Sequence, residues 1–266
     1  MAAIQPMEQF LIRKVVELPP VNVPGLGALD LSITNSVVFM FTAAAIITVF
    51  FILAGRGHLV PGRSQALAET LYNLVDKGLT GSMIGHGRGK PFLPFVFTLF
   101  AMIAVMNIVG LAPTSFTVTS QLSVTVTLAL VTFITVVIVG FMRNGLGFFK
   151  LFVPSGVGVA MAIPLALIEF ISFMVRPVTL SRRLCGNMIG GHVVMYMFAS
   201  FVVGLGAFAL HSGLASPAYF GLSALSFFMV IALYALEFIV AFLQAFVFAA
   251  LTCTYINDVV NLDHGH

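Results

Sequence analysis

One arginine lies within a long apolar stretch, where a positive charge is costly. Arg183 belongs to the run 182–192, RRLCGNMIGGH, and apolar segments flank this run on both sides. A guanidinium group keeps its proton in proteins, and placing it inside a lipid bilayer costs from about 3 to more than 10 kcal/mol. A membrane chain that keeps such a charge is therefore expected to use it.

The helical positions around Arg183 place polar and very small residues on one face. At about 100° per residue, the polar residues within about 40° of Arg183 are Arg176, Asn187 and Glu169. Gly186 and Gly190 lie on this face as well, and their GxxxG spacing allows another helix to approach closely. We therefore expect this face to contact a partner helix and to present a fixed positive charge to it.

Further titratable groups lie away from the helix face that contains Arg183. His192 is on the opposite side of the same helix, so we expect it to face a later apolar segment or a separate cavity. In that later segment Glu237 and Gln244 are seven residues apart and share a face. A buried carboxyl group without a cation favours its neutral form, which would suit Glu237 to hand protons along.

Each of these residues also has a purely structural interpretation. Arg183 would be a counter-ion for Glu169, or its long side chain would extend to the membrane surface. Glu169 would only neutralise Arg176, and His192 would be a hydrogen-bonded core residue. The glycine pair would be plain helix packing, and the two amide side chains would bridge helices. A permanent cation, titratable groups on separate faces and a close-approach surface are more specific together than singly.

The composition indicates a membrane protein. Of the 266 residues, 60% are hydrophobic and 8% are charged, whereas soluble domains carry about 25% charged residues. The excess of basic residues is small and does not suggest nucleic-acid binding. Cys185 and Cys253 are isolated in apolar surroundings and indicate neither a disulfide framework nor a metal site. The N-terminus lacks the pattern of a cleaved signal peptide.

The apolar segments predict one membrane domain over residues 1–266. An N-terminal segment covers 1–35, the first span covers 36–54, and the second and third spans lie within 92–142, each long enough for a hydrocarbon core of roughly 30 Å. Residues 64–79 have the apolar rhythm of an amphipathic helix on the membrane surface. Basic residues concentrate in the loops after the first and third spans, which places those loops inside and the N-terminus outside.

The remaining apolar chain, 155–257, is interpreted as a helical hairpin that carries the proton path. Residues 154–210 would form a helix about 80 Å long, more than one upright crossing needs. A turn at the arginine pair would divide it into two spans, against the charge bias, so we favour one tilted helix that tolerates its two prolines. The sequence thus predicts an all-α polytopic membrane protein with upright transmembrane helices, a surface amphipathic helix and a long, strongly tilted two-helix membrane hairpin.

Motifs from most of the chain match one known family. The run 176–192 resembles its essential-arginine helix, and LQAFVF at 243–248 resembles the paired motif on its last helix. MNIVGLAP at 106–113 is similar to the end of its second span, and the surface-helix pattern is matched by Pro61, Gln65 and Glu69. On these motifs the chain resembles subunit a of the membrane (Fo) sector of F-type ATP synthases.

Two details place the resemblance in the alphaproteobacterial and mitochondrial branch of that family. The histidine comes first and the acid second, as His192 and Glu237, whereas many bacterial members have an acid at the first position and histidine at the second. The runs 5–10 and 33–36 also resemble that branch. The resemblance implies a bacterial cell inner (plasma) membrane, with the mitochondrial inner membrane as the alternative.

The resemblance also implies roles for the candidate residues. Arg183 would be the essential arginine at the rotor contact, with Asn187 as its polar neighbour and Gln244 as its partner on the last helix. The residues expected along the aqueous proton paths are Glu169, His192 and Glu237. Gly186 and Gly190 remain, from their spacing, the close-approach face.

The implied function is that of a stator subunit with two aqueous half-channels. It would conduct protons to and from the carboxylates of the c-ring and so couple proton-motive force to rotation and ATP synthesis. The implied partners are the c-ring of two-helix subunits, the peripheral-stalk b subunits, the rest of the ATP synthase complex and membrane lipids. The chain would not itself catalyse ATP chemistry, and no cofactor, metal or nucleic acid is expected.

Other classes of membrane protein fit less well. A secondary transporter usually shows inverted repeats around a midplane cavity, and the sequence contains no such repeat. An intramembrane hydrolase needs a nucleophile with a base or a set of metal ligands, and the chain has neither His-Glu-x-x-His nor Gly-x-Ser-x-Gly. A purely structural anchor would tolerate neutral replacements of Arg183, His192 and Glu237.

Overall fold

Helices dominate the part of the chain that the computed structural model describes, which is residues 10–17, 21–23, 27–29, 32–55, 62–85, 87–112, 115–152, 159–211 and 216–261. The α-helices in these ranges are α1 (Asn35–Ala54), α2 (Arg63–Val75), α3 (Leu93–Gly110), α4 (Leu122–Asn144), α5 (Val159–His211) and α6 (Ser216–Val260). Shorter helical turns lie at Asp76–Gly81, Lys90–Phe92, Val118–Ser120 and Gly145–Phe152.

The N-terminal segment contains short strands that the sequence did not predict. They are β1 (Lys14–Val16), β2 (Val21–Val23), β3 (Gly27–Leu29) and β4 (Ile33–Thr34). Strand β1 pairs with β4 and β2 pairs with β3, both antiparallel, with an irregular register between Lys14 and Val16. These strands lead into the first apolar helix and do not alter the all-α class.

Five helical segments of the described chain are long and apolar enough to cross a membrane. They are Asn35–Ala54, Lys90–Gly110, Leu122–Phe149, Ile163–Leu210 and Pro217–Val260. Large apolar side chains on these helices are exposed, among them Phe41, Met142 and Phe228, as expected of surfaces that face lipid. The chain is an all-α polytopic membrane protein, as its sequence predicts.

The helix bounds lie close to the predicted ones. Helix α1 begins one residue before the predicted span 36–54, and α2 with its following turn covers the predicted surface helix 64–79. Helix α3 lies within the region 92–142 expected for the second and third spans, and α4 begins inside this region and ends two residues beyond it. The opening motif from residue 5 to residue 9, Pro61 of the surface-helix pattern, and the turn residues 212–215 lie outside the described residues.

Helix α5 continues without a break through the arginine pair. It runs from Val159 to His211 and contains Pro164 and Pro177 inside it, so no turn divides it into two spans. At 1.5 Å per residue it is about 80 Å long. We therefore expect α5 to cross a hydrocarbon core of roughly 30 Å at a strong tilt.

The chain divides into two compact units, each built from separate stretches. Unit one comprises Met1–Ala43, Met106–Gln121 and Cys185–Leu243, and unit two comprises Ala44–Val105, Leu122–Leu184 and Gln244–His266. Helices α1, α3, α5 and α6 each contribute to both units. The single membrane domain over 1–266 stays a prediction.

Each unit has its own packed interior. In unit one, buried Leu111, Met188 and Ala241 form a hydrophobic core cluster. In unit two, the ring of Phe148 lies 4.7 to 6.2 Å, between centroids, from several aromatic rings. Those rings are Phe141, Phe149, Phe152 and Phe173. Helix α4 reaches this aromatic cluster through Gly140.

Gly140 should tolerate no larger side chain, because the Phe148 ring packs against its backbone. A Cβ at residue 140 would lie 2.5 Å from two ring atoms of Phe148 and 3.5 Å from Val259 Cγ1. Overpacking a filled site usually costs about 1–3 kcal/mol. We therefore expect Gly140→Ala to lower the thermal unfolding midpoint of the detergent-solubilised protein.

Gly204→Ala on α5 is the matched control, since a Cβ at residue 204 has nothing within 4 Å. This exchange should leave the midpoint unchanged or raise it, because alanine favours a helix over glycine by about 1 kcal/mol. An unchanged midpoint in Gly140→Ala would contradict the close packing of the aromatic cluster.

Candidate functional site

The arginine face of α5, defined as the side with Arg183, Gly186, Asn187 and Gly190, is exposed, and the space above its two glycines is open. Arg183, Gly186, Asn187 and Gly190 are all exposed, and a Cβ on either glycine would meet nothing within 4 Å. No packing partner within the described chain therefore requires glycine at these positions. Arg183 makes no hydrogen bond or ion pair with any described residue.

A second arginine of α5, Arg176, is held by acidic and aromatic side chains of unit two. Its Nη1 donates a 2.8 Å hydrogen bond to Asp258 Oδ2 on α6, and its Nη2 lies 3.9 Å from Glu169 Oε1. The guanidinium carbon is 4.7 Å from the ring centroid of Tyr255 and 5.3 Å from that of Phe173. These distances fall in the range of cation–π attraction, so two acids and two rings surround this cation.

The two arginines therefore differ in how their charges are neutralised. The carboxylate of Glu169 lies beside Arg176, whereas Arg183 has no acid among the described residues. This geometry favours the interpretation that Glu169 neutralises Arg176, and it does not support a counter-ion role of Arg183 for Glu169. Arg183 therefore has no acidic partner within the described chain.

His192 and Glu237 meet in the interior of unit one. His192 Nε2 lies 3.8 Å from Glu237 Oε1, and the side chains are 4% and 6% exposed. The sequence placed His192 on the side of its helix opposite Arg183, and the structure places it against α6. Helix α5 thus carries its exposed cation and its buried imidazole on different sides.

Two polar residues from α3 and the segment after it complete a polar cluster, defined here as Asn107, Thr117, His192 and Glu237. Thr117 Oγ1 is 3.2 Å from His192 Nε2, and Asn107 Nδ2 donates a 3.0 Å hydrogen bond to the carbonyl of Ala241. All four side chains are buried. The cluster brings hydroxyl, amide, imidazole and carboxyl groups into one place.

Several atoms of the polar cluster have no hydrogen-bond partner within the described chain. They are Asn107 Oδ1, His192 Nδ1 and both carboxyl oxygens of Glu237. Buried polar groups are costly unless hydrogen-bonded, and in native proteins ordered water commonly bridges such groups. The chemistry of the cluster therefore suits groups that exchange protons with water and with each other.

Gly191 lets the carboxyl group of Glu237 lie against the backbone of α5. A Cβ at residue 191 would collide with Glu237 Oε1 and lie 2.9 Å from its Cδ. A glycine at this position is thus a condition for the approach of Glu237 to His192, the next residue along α5. Sequence reasoning assigned no separate role to Gly191, although this residue follows Gly190 directly.

The aromatic ring of Phe10 closes one side of the polar cluster. Its plane stands at 89° to the imidazole of His192, with the ring centroids 6.3 Å apart. Gln121 Nε2 donates a 2.9 Å hydrogen bond to the Phe10 carbonyl and so ties the N-terminal segment to the start of α4.

Comparison with known proteins assigns the chain to a family. The family described as ATP synthase A chain matches residues 37–257. The ATP synthase subunit a of Rhodopseudomonas palustris (strain BisB18) is 46% identical over 263 residues, which covers 98% of this chain and 100% of that protein. That of Xanthobacter autotrophicus is 44% identical over 262 residues, with 98% and 99% covered. The chain belongs to the ATP synthase subunit a family.

Membership of the ATP synthase subunit a family confirms the resemblance seen in the sequence motifs. Members are non-catalytic, proton-translocating stator subunits of the Fo sector and parts of the ATP synthase complex. The match covers α1 to α6 and includes both the arginine face and the polar cluster. The individual roles of these residues stay predictions.

The structure of this family member adds contacts that sequence reasoning missed. Asp258 holds Arg176, Thr117 contacts His192, and Gly191 admits Glu237. One contact, between His192 and Glu237, could have been predicted from the hairpin. Residues at similar distances from the turn of an antiparallel hairpin lie next to each other, and these two residues do. Thr117 precedes α4 in an uncharged segment and gave no such signal.

Gln244 is buried on α6 in unit two, 5% exposed, and has a partner of its own. The sequence predicts that Gln244 acts with Arg183, which is exposed in the same unit. Since Arg183 makes no hydrogen bond within the described chain, this partnership also stays a prediction.

Arg176 and Arg183 should differ in how much they contribute to the stability of the protein. Arg176→Gln removes a charge-assisted hydrogen bond and leaves Asp258 unpaired, a loss of about 1.5–3 kcal/mol. Arg183→Gln removes no hydrogen bond or ion pair of the described chain and should change stability by less than about 0.5 kcal/mol. We expect the thermal unfolding midpoint of the solubilised protein to fall clearly in Arg176→Gln only; equal losses in the two variants would contradict the assignment.

Proposed function

We propose that this chain forms two aqueous half-channels and passes protons to and from the carboxyl groups of a c-ring. The observation that carries this proposal is the exposed, unpaired charge of Arg183 beside the open glycines of α5. A permanent cation in an apolar helix is costly, and here the described acids leave it unneutralised. A moving carboxylate supplied by a rotor would complete the pair.

The ring carboxyl group changes its charge state as it passes Arg183. In its protonated form it is neutral and can face lipid. Opposite Arg183 the nearby positive charge favours the ionised form, so the proton is released on the side of the exit path. Arg183 cannot carry the proton across itself, because a guanidinium does not give up its own proton.

The entry path is assigned to the polar cluster. His192 and Glu237 are buried, close together and capable of accepting and releasing protons. Together with Asn107 and Thr117 they offer a chain of groups through an otherwise apolar interior. We propose that this half-channel opens to the outside of the membrane. This assignment uses the orientation predicted from the basic residues of the loops.

The exit path is assigned to the neighbourhood of Glu169. Its side chain is 40% exposed while it lies beside Arg176, so the described chain does not enclose its carboxylate. Asn187 on the arginine face and Gln244 on α6 are assigned to the proton path beside Arg183. Each proton that crosses 100 mV releases about 2.3 kcal/mol, and several such steps drive one ATP.

The partners follow from this assignment. The glycine-lined face of α5 fits the helices of a two-helix ring subunit, which can approach closely where no side chain intervenes. Peripheral-stalk b subunits and the rest of the complex would hold the chain still while the ring turns. Relatives from alphaproteobacteria support a bacterial cell inner membrane as its location.

Loss of Arg183 should abolish proton-driven ATP synthesis without loss of the assembled complex. In inverted membrane vesicles with an imposed proton gradient, the rate of ATP synthesis by Arg183→Ala should fall to the rate measured in vesicles without a gradient. Arg183→Lys should fail as well, because a buried lysine can release its proton and lacks the planar guanidinium. Passive proton leak is recorded in parallel.

The neighbouring Arg182→Ala provides the matched control, since Arg182 is also exposed on α5 and is expected to extend toward the membrane surface. It should keep most of the synthesis rate. Full synthesis by Arg183→Lys, or equal losses in both positions with the complex intact, would refute the role assigned to Arg183.

His192 and Glu237 should behave as one functional unit. His192→Gln and Glu237→Gln should each slow proton-driven synthesis by about tenfold to a hundredfold, the order expected for a positioned acid or base. The double variant should be no slower than the slower single variant, because the groups act in series on the same proton. Glu17→Gln, an exposed acid of the N-terminal segment, should have no effect, and multiplicative losses would contradict the shared path.

A further inference from the structure

The hydroxyl of Thr117 satisfies a carbonyl at the end of α3. Helix α3 ends at Gly110, and the last carbonyls of a helix have no partner within it. Thr117 Oγ1 donates a 3.1 Å hydrogen bond to the Gly110 carbonyl. Gly110 makes this approach possible, since a Cβ there would lie 2.9 Å from Thr117 Cγ2.

This hydrogen bond determines what Thr117 can offer to His192. A hydroxyl group has one hydrogen and two lone pairs, and a carbonyl oxygen can only accept. The hydrogen of Thr117 is therefore directed to Gly110. At the 3.2 Å contact with His192 Nε2 the hydroxyl oxygen must accept, so the hydrogen in that contact belongs to the imidazole.

The tautomer of His192 follows from its two ring nitrogens. Nε2 carries the hydrogen because it faces an acceptor, and in the neutral ring Nδ1 then has a free lone pair. Nδ1 has no hydrogen-bond partner within the described chain. Glu237 Oε1 lies 3.8 Å from the same Nε2 and is the titratable group that faces the imidazole among the described residues.

We propose that Thr117 is a positioning residue that holds His192 in the Nε2–H tautomer, so that the imidazole takes a proton at Nδ1 and gives one to Glu237 from Nε2. This inference rests on the proposed function and adds a direction to its entry path. In the step, Nδ1 gains a proton, the Nε2–H bond breaks, and Glu237 Oε1 gains a proton across the 3.8 Å gap to Nε2 through one bridging water, which accepts the first hydrogen and donates another. The neutral imidazole stays neutral overall, and the carboxylate becomes a neutral carboxyl group.

The hydrogen bond also resets the relay. After the transfer the imidazole carries its hydrogen on Nδ1, and Thr117 again offers an acceptor only at Nε2. Reset requires that Nδ1 gives its proton to a water and that Nε2 takes one from a water, and the Thr117 contact favours this exchange because it stabilises the Nε2–H tautomer. The edge of the Phe10 ring packs against the imidazole and helps to keep its orientation.

The test compares Thr117→Val, which removes the hydroxyl, with Thr117→Ser, which keeps it. The readout is the ¹⁵N spectrum of histidine in the intact, lipid-reconstituted complex at a pH where the imidazole is neutral. The signals of His192 are identified by their loss in His192→Gln. The wild type and Thr117→Ser should show the Nε2–H pattern, and Thr117→Val should shift toward the Nδ1–H pattern.

Proton-driven ATP synthesis is measured on the same preparations. Thr117→Val should be slower by about fivefold to tenfold, the order that loss of one hydrogen bond produces, and Thr117→Ser should restore the rate. Thr119→Val is the matched control, because Thr119 is buried in the helical turn that directly follows Thr117 and its hydroxyl has no partner within the described chain. It should leave both the rate and the tautomer unchanged.

An unchanged Nε2–H pattern in Thr117→Val would overturn the inference whatever the rate, as would a changed pattern with an unchanged rate. If Thr117→Val does not assemble, Thr117→Ala removes the hydroxyl with less bulk and decides the question by the same readouts. Normal synthesis in His192→Gln would instead refute the proposed entry path itself. The two failures are therefore distinguishable.

Discussion

The cost of a charge in a low-dielectric interior governs the arrangement of this protein. Helix α5 carries Arg176, Arg182 and Arg183, and none of them can lose its proton. Arg176 and Arg183 lie within two turns of each other and differ in their surroundings. One of them, Arg176, is surrounded by Asp258, Glu169 and two aromatic rings. The other, Arg183, is left without an acid in the described chain. The charge of Arg176 thus links α5 to α6 through Asp258, whereas the charge of Arg183 has no acidic partner within the described chain.

The same constraint explains why α5 has two distinct sides. Leu184, Met188 and His192 follow one another at intervals of four residues and are buried, while Arg183 and Asn187 are exposed. A helix that was apolar all round would bind lipid on every side. With polar groups on opposite sides, α5 keeps the buried polar cluster apart from the exposed face that carries Arg183.

Hydropathy and length were sufficient to predict the helices. The apolar segments are long and nearly free of charge, and the unbroken α5 follows from the cost of placing a charged turn on the wrong side of a membrane. Helical periodicity also predicted that His192 and Arg183 lie on different sides, since that depends only on the geometry of one helix.

The cross-helix contacts were not predictable in the same way. Whether Asp258 meets Arg176, or Thr117 meets His192, depends on how far two helices are shifted along each other and on the path of the segment between α3 and α4. A shift of one residue rotates a side chain by about 100°, so periodicity within one helix does not determine its neighbour. Gly191 was recognisable as a small residue, but its partner Glu237 is fixed only by packing.

The open glycines of α5 have a consequence for motion. Helices that pack by interdigitation hold each other in register, because every displacement lifts ridges out of grooves and loses contacts. Gly186 and Gly190 present bare backbone with nothing above it, so a helix that moves across them meets a shallow strip with few obstacles. If the proposed ring helix moves across this strip, its shape would oppose the displacement little, and the attraction between the two surfaces would come from the charge of Arg183. Resistance to sliding would then depend on Gly186 and Gly190, and electrostatic attraction would depend on Arg183 on the same face.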